Sequence, residues 1–348
     1  MDANQVKDAP KIKRETKNKI KVEFDRTPLI ERLQAKFLNT HFMVSVLWYI
    51  FRLLFLIGVS YVILFPFFAK ISGSFMSAED FVDVTVQMVP KHPTLATYKA
   101  IFVDNSYMKA LFNTVILAGS CAVLQTFTCA LIGYGFAKFK FKRRNLLFAL
   151  VIFTMIVPHM TLKLSIFMEF RYFNPFKILT YLPFVGDLLE GLDINLINTY
   201  FPLWILSITG LAFKNGLYIF ILRQFFKGVP DELEESAYVD GSGVFRTFMR
   251  IVLPLSGAML ITVFMFSFSW QWTDNFYVQT FFTSSGTTLM KDIVKVPRSL
   301  STNFAAGSTY EAAIKNTCGL MIIIPLLIMY LFAQKSIVQG IERSGITG

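Results

Sequence analysis

The stretch "EESAYVDGSGVFRTFMRIVLP", residues 234–254, lies between two strongly apolar segments. Pro230 interrupts what precedes it, and Asp231 with Glu234 three residues on is close to a capping box. Acidic residues in the first turn suit the positive end of a helix dipole. Asp240-Gly241 ends this short helix, since glycine takes the left-handed conformation without steric cost. Ser242 is placed to cap a second short helix, "GVFRTFMRIV", which Pro254 ends. The small residues Ser236 and Ala237 in the middle of the first helix let another surface approach its backbone. Turn chemistry at its two ends, rather than burial, is expected to hold it.

The surroundings of this stretch are built for lipid. Of 348 residues, 54% are hydrophobic, 38 are Phe and only 16% are charged, against about 25% charged in soluble domains. Crossing a bilayer as a helix takes about 20 apolar residues. Six segments qualify: Leu47–Ala69, Leu111–Ala137, Asn145–Met168, Tyr200–Phe226, Gly257–Phe282 and Ala313–Phe332. Residues 1–46 ahead of them are polar and of mixed charge, and read as a solvated or interfacial tail rather than a signal peptide.

A net charge of +11 could suggest nucleic acid, but its distribution follows the membrane instead. With the N-terminus inside, the inner segments hold about twice as many Lys and Arg as the outer ones. Lys214, Arg223, Lys227, Arg246 and Arg250 are assigned to the inner connection around residues 228–256, and "KFKFKRR" (138–144) forms the shortest and most basic inner loop. Both termini and the opening stretch then face the cytoplasm. Nucleic acid is excluded as a partner.

The candidate chemistry is sparse. The fifth apolar segment runs into "SWQWTDNFY" (269–277), where Trp270, Gln271, Trp272, Asp274, Asn275 and Tyr277 combine aromatic faces with amides and a carboxylate, a composition suited to sugar rings. An interfacial aromatic belt explains part of the same pattern. Cys121, Cys129 and Cys318 have no metal-like spacing and read as small buried hydrophobes. Only three histidines occur, and no Ser/His or His/Asp spacing suggests catalysis. His159 follows Pro158 and reads as a polar residue at a kinked helix. The segment "GxxxxGK[ST]" is absent, so nothing in this sequence cradles nucleotide phosphates as a P-loop does. The alternatives weighed are a transporter driven by an ion gradient and a membrane-embedded enzyme.

Glu235-Ser236-Ala237, Asp240-Gly241-Ser242, Phe248, Ile251 and Leu253-Pro254 closely resemble the "EAA" loop of binding-protein-dependent ABC importer permeases. Ser236 and Ser242 stand where that pattern has alanine. "HPTLATYKAIF" (92–102), Asn113-Thr114, "YGFAKFKFKRRNLLF" (134–148) and the glycine-containing tail from residue 332 resemble the maltose-type carbohydrate permeases, in particular the second permease of that group. The resemblance implies an all-α integral membrane protein with six transmembrane helices and a cytoplasmic coupling loop at about 228–256, the type I ABC importer transmembrane domain. It divides the chain into a tail (1–46), a permease domain (47–333) and a C-terminal tail (334–348). It implies that Glu235, Ser236, Ala237, Asp240 and Gly241 dock on a cytoplasmic ATPase, and that Gly340, Gly345 and Gly348 belong to a tail that reaches between ATPase subunits. Implied partners are a different second permease in a heterodimer, two ATP-binding subunits that hold ATP and Mg, and an extracytoplasmic solute-binding protein delivering a carbohydrate through a bacterial cell membrane. No cofactor is implied for this chain.

Overall fold

The computed structural model of the chain describes residues 12–15, 21–24, 40–175, 193–283, 286–303 and 306–345. It divides into two units, Met1–Lys70 and Ile71–Gly348, each described by itself. In the first, β1 (Ile12–Glu15) and β2 (Lys21–Phe24) pair antiparallel, Ile12 opposite Phe24 and Glu15 opposite Lys21. The expected tail thus contains a hairpin, an exception to an otherwise helical chain; the rest of residues 1–39 lies outside the described residues. Helix α1 (Thr40–Ser74) begins in this unit and contains the expected first span. It is apolar on nearly every side, as a lipid-facing helix requires.

The second unit is built around α3. After α2 (Ala96–Asp104) come α3 (Tyr107–Lys138), α4 (Arg144–Ile156), α5 (Lys163–Arg171), α6 (Phe201–Ile208) and α7 (Asn215–Lys227). They are followed by α8 (Glu232–Val239), α9 (Val244–Leu255), α10 (Gly257–Trp272), α11 (Phe276–Phe281) and α12 (Gly307–Gly345). Small residues let α3 serve every neighbour. Cys129 and Ala130 pack with Tyr218, Leu222 and Phe248; Ala118 and Ala122 pack with Phe268, Ile314 and Cys318; Cys121 packs with Leu203, Leu206 and Phe281. A Cβ at Gly133 would stand 3.0 Å from Leu222 Cβ and 3.1 Å from the Arg223 nitrogen, so glycine permits the α3–α7 approach. The three cysteines are free and buried, as expected of small hydrophobes.

Among the described residues, three helices are long and apolar enough to cross a membrane by length and composition, or up to 5 if each bent pair counts as one span. Three expected spans are interrupted. The third bends by 92° between α4 and the segment His159–Arg171, because Pro158 favours extended backbone at Val157 and offers no N–H. The fourth divides into α6 and α7 around a turn that includes Gly210 at φ +78°. The fifth stops at Trp272 and resumes as α11. The second short helix ends one residue past Pro254, at Leu255, with an 81° bend between α9 and α10, and a π turn at Phe248–Val252 precedes the proline. The π turn accommodates the ladder bond that proline cannot make.

Helix α12 continues past residue 333 to Gly345, so the segment expected as a C-terminal tail is largely the end of a helix. Gly340 lies against α10, where an added Cβ would come within 3.1 Å of the Ala258 carbonyl oxygen. Residue Gly348 lies outside the described residues.

Candidate functional site

Two polar constellations lie along α3. The first joins its C-terminal end to α8. Lys138 Nζ donates to Asp231 Oδ1 at 2.6 Å and to the Val229 carbonyl at 2.5 Å. It also lies 3.2 Å from Glu234 Oε1, an ion contact without hydrogen-bond alignment. Tyr134 OH donates to Glu234 Oε2 at 2.9 Å, with Tyr238 OH 3.5 Å from the same oxygen. Lys138 and Glu234 are buried, while Asp231 is exposed.

This geometry corrects the reading of α8 from sequence. Asp231 occupies the N-cap position but its side chain makes no cap bond, and no capping box forms, since Glu234 turns inward to Tyr134. Ser242 does not cap α9; the N-cap is Gly243, and Ser242 Oγ accepts from Thr247 instead. Ala237, expected to be open to a partner, is buried at 6% exposure. Glu235, Ser236, Asp240 and Gly241 are exposed. Gly241 has φ +77°, the left-handed turn expected of it. The helix is held by a buried ion pair and a tyrosine rather than by its ends.

The second constellation is a narrow cleft lined by Gln125, Phe213, Lys214, Tyr218, Ser267, Trp270, Gln271, Asp274 and Tyr277. Gln125 fixes its floor: Nε2 donates to Ser207 Oγ at 3.2 Å, and Oε1 accepts from Ser267 Oγ at 2.5 Å, tying α3 to α6 and α10. The break after α10 places Asp274 ahead of α11, where Oδ2 accepts from the backbone of Tyr277 (3.0 Å) and Val278 (3.1 Å). Lys214 Nζ stands 4.3 Å from the centroid of a Trp270 ring and 4.5 Å from that of Phe213.

Four of the six expected residues therefore meet: Trp270, Gln271, Asp274 and Tyr277. Trp272 does not. It is buried on the opposite side of α10, stacked on Phe268, with Nε1 donating to the Ile322 carbonyl at 3.1 Å. Asn275 is exposed and outside the cleft lining. Helical spacing explains the split, since residues 270 and 272 point about 200° apart around the axis. Lys214, inside the expected fourth span and counted with the basic residues of the inner side, lies in the turn between α6 and α7 and lines this cleft. The sequence signal for it was "TGLAFKNG" (209–216), two glycines and a lysine within an otherwise apolar segment. Gln125 carried no comparable signal.

Asn113 and Thr114, singled out within a motif, have a structural use. Asn113 Nδ2 donates to the Thr288 carbonyl at 2.9 Å, and Thr114 Oγ1 accepts from the Met290 backbone at 2.9 Å. They fasten the 288–293 segment to α3. His159 begins the turn after Pro158, as expected, with its ring centroid 3.9 Å from that of Phe213. Among the described residues no group of three His, Cys, Asp or Glu side chains could hold a metal ion.

Comparison with known proteins agrees with this architecture. The chain is 29% identical over 306 residues to the arabinooligosaccharides transport system permease protein AraQ of Bacillus subtilis (strain 168), covering 85% of this chain and 94% of that one. It is 26% identical over 300 residues to the maltodextrin transport system permease protein MalD of Streptococcus pneumoniae (strain ATCC BAA-255 / R6), covering 85% and 94%. Its fold matches a chain in the crystal structure of a bacterial ABC transporter involved in the import of the acidic polysaccharide alginate. There the TM-score is 0.63 at 18% identity, covering 84% of this chain and 97% of that chain. The model of the binding-protein-dependent transport system inner membrane component family matches residues 130–343, and this membrane-embedded chain belongs to that family.

Proposed function

We propose that this chain is one permease of a heterodimer that passes a carbohydrate across a bacterial cell membrane, coupled to two cytoplasmic ATP-binding subunits and supplied by an extracytoplasmic solute-binding protein. Six membrane crossings follow when the two bent pairs and the α6–α7 pair each count as one. Both termini are then cytoplasmic, the permease domain is 47–333, and its coupling loop is about 228–256. ATP and Mg belong to the partner subunits. Relatives that carry arabinooligosaccharides and maltodextrin support carbohydrate as the substrate class.

The observation that carries this reading is the Tyr134–Lys138–Glu234 connection between α8 and a long membrane-spanning helix. Movement imposed on α8 from outside passes into α3 through a buried ion pair, without a flexible linker between them. Glu235, Ser236, Asp240 and Gly241 form the outward docking face. Ala237 supports that face from beneath. Trp270, Gln271, Asp274 and Tyr277, with Lys214, form the part of the solute path carried by this subunit.

The test is to tag this chain in its own host, solubilise the membranes gently and identify what co-purifies. A second permease and a P-loop ATPase are expected. Gly241→Val forces a β-branched residue into positive φ, a strain of about 1–3 kcal/mol, and should sharply reduce ATPase recovery while the second permease is retained. Isolation of the chain alone, with solute movement in vesicles that lack ATP, would favour a gradient-driven carrier.

A further inference from the structure

The geometry points to an anionic sugar, one bearing a carboxylate such as a uronate, as the ligand of the Lys214 cleft. This rests on the carbohydrate reading above and names the substrate class of that same site. Lys214 is the one cation in the lining, and among the described residues it forms no ion pair. Its ammonium lies over two aromatic rings, Phe213 and Trp270, whose centroids are 6.0 Å apart. Aromatic faces attract the cation but accept none of its N–H bonds in good geometry, so its donors remain available.

Two further polar atoms of the cleft have no partner among the described residues, one an amide donor and one a hydroxyl able to donate or accept. Gln271 Nε2 and Tyr218 OH are buried without a hydrogen-bond partner. The carboxylate in the lining, Asp274, has Oδ2 engaged by two backbone N–H groups at the start of α11. Gln125 is satisfied at both ends of its amide by Ser207 and Ser267. A neutral sugar would stack on Trp270 and occupy some of these donors, yet it would shield Lys214 from water without pairing it. Desolvating an unpaired ammonium is costly, and a ligand carboxylate removes that cost.

The position of Lys214 fits a selective role. With Phe213 it also lines an adjoining, larger pocket bounded by Thr154, Met155, His159 and Gly210. A sugar moving between the two spaces passes the ammonium. Trp270 supplies the stacking face, Gln271 and Tyr218 meet ring oxygens, and Lys214 reads the charge.

The experiment uses the purified complex of this chain with its partner permease and ATPase subunits. Binding of labelled trigalacturonate and of labelled galactotriose is measured by equilibrium dialysis, for the wild type, Lys214→Met and Lys214→Arg. The wild type is expected to prefer the anionic trisaccharide by about tenfold, the scale of one hydrogen bond to a charged group. Lys214→Met should bring the two affinities close together, and Lys214→Arg should restore most of the preference. A lysine that only supports the fold would lower both affinities alike and leave their ratio unchanged, which overturns the inference. So would a wild type that prefers the neutral sugar or binds neither. ATP-driven uptake of a neutral sugar alone, in proteoliposomes with the solute-binding protein, would retain the carbohydrate reading and reject the charge preference. No ATP-driven uptake of any sugar would reject the carbohydrate reading itself.

Discussion

The two ends of the work done by α3 differ in how they treat buried polarity. At residues 134–138 the helix meets α8 through charges of opposite sign: Lys138 is shared between Asp231 and Glu234, and Tyr134 supplies a further donor. About three turns earlier, Gln125 anchors a cleft in which, among the described residues, Lys214 is unpaired and Gln271 and Tyr218 have buried polar atoms without partners. The first region is electrically closed, as a mechanical joint must be if it is to hold one geometry. The second is electrically open, and its missing partners have the character of a ligand. Within one fold, the pairing of charge separates the part that transmits from the part that receives, even though Glu234 Oε1 meets Lys138 without an aligned hydrogen bond.

The largest expected effect comes from breaking the closed region. Lys138→Met leaves Glu234 buried without its cation, a loss of about 3–5 kcal/mol for an ion pair broken from one side. Neutralising both partners in Lys138→Met/Glu234→Gln should recover much of that loss, because no uncompensated charge remains. Thermal unfolding of the purified complex gives the stability, and transport per ATP hydrolysed gives the coupling. If the single variant unfolds like the wild type and couples normally, the joint is not the connection between α8 and α3.

The two tryptophans sharpen the contrast on a single helix. Trp272→Ala removes a buried ring and its bond to the Ile322 carbonyl, and should cost about 3–5 kcal/mol. Trp270 is half-exposed at the cleft, so Trp270→Ala should cost less than about 1 kcal/mol in stability while lowering sugar binding. Melting curves and equilibrium dialysis on the same preparations separate the two roles. Equal destabilisation by both substitutions would place Trp270 in the core as well.

Much of this was readable from residue order, and the misses have physical causes. Long uninterrupted apolar runs identified α1, α3 and α12, because burial of backbone polar groups in lipid leaves helix as the local solution. The helix at 232–239 and the left-handed turn at Gly241 followed from turn chemistry, which is local. Pro158 marks the kink in the third segment, whereas the breaks in the fourth and fifth, at Gly210 and "WTDN", escape a hydropathy window that averages over a few interrupting residues. Side-chain direction was harder still. The "SWQWTDNFY" cluster was recognised as one group, yet a helix separates Trp270 from Trp272, and only packing decides which face is inward. Glu234 looked like a capping residue because its ion partner, Lys138, is far away in sequence. Lys214 stands inside the expected fourth span, and only packing shows that it lines the cleft.

The smallest expected effect concerns acid. The Asp231 carboxyl is held below its ordinary value of 3.8 by the hydrogen bond from Lys138, with the ammonium's charge adding to it and partial desolvation opposing. A depressed carboxylate stabilises the folded state at every pH above its unfolded value, and that contribution disappears as pH falls through the lowered folded value. The α8 joint should therefore be indifferent to pH between about 5 and 8 as far as Asp231 is concerned, and should weaken only below about pH 4. Asp231 is exposed, so the change is small and Lys138 keeps its buried partner Glu234. Melting temperatures of the complex for the wild type and Asp231→Asn, taken from pH 6 down to pH 3, measure it. The two curves should lie a constant, small distance apart above pH 5 and converge as the acid is reached. A gap above pH 5 as large as the loss on Lys138→Met would instead mean that Lys138 relies on Asp231 more than on Glu234. The closed character of this region would then belong to its exposed rim and not to its buried pair.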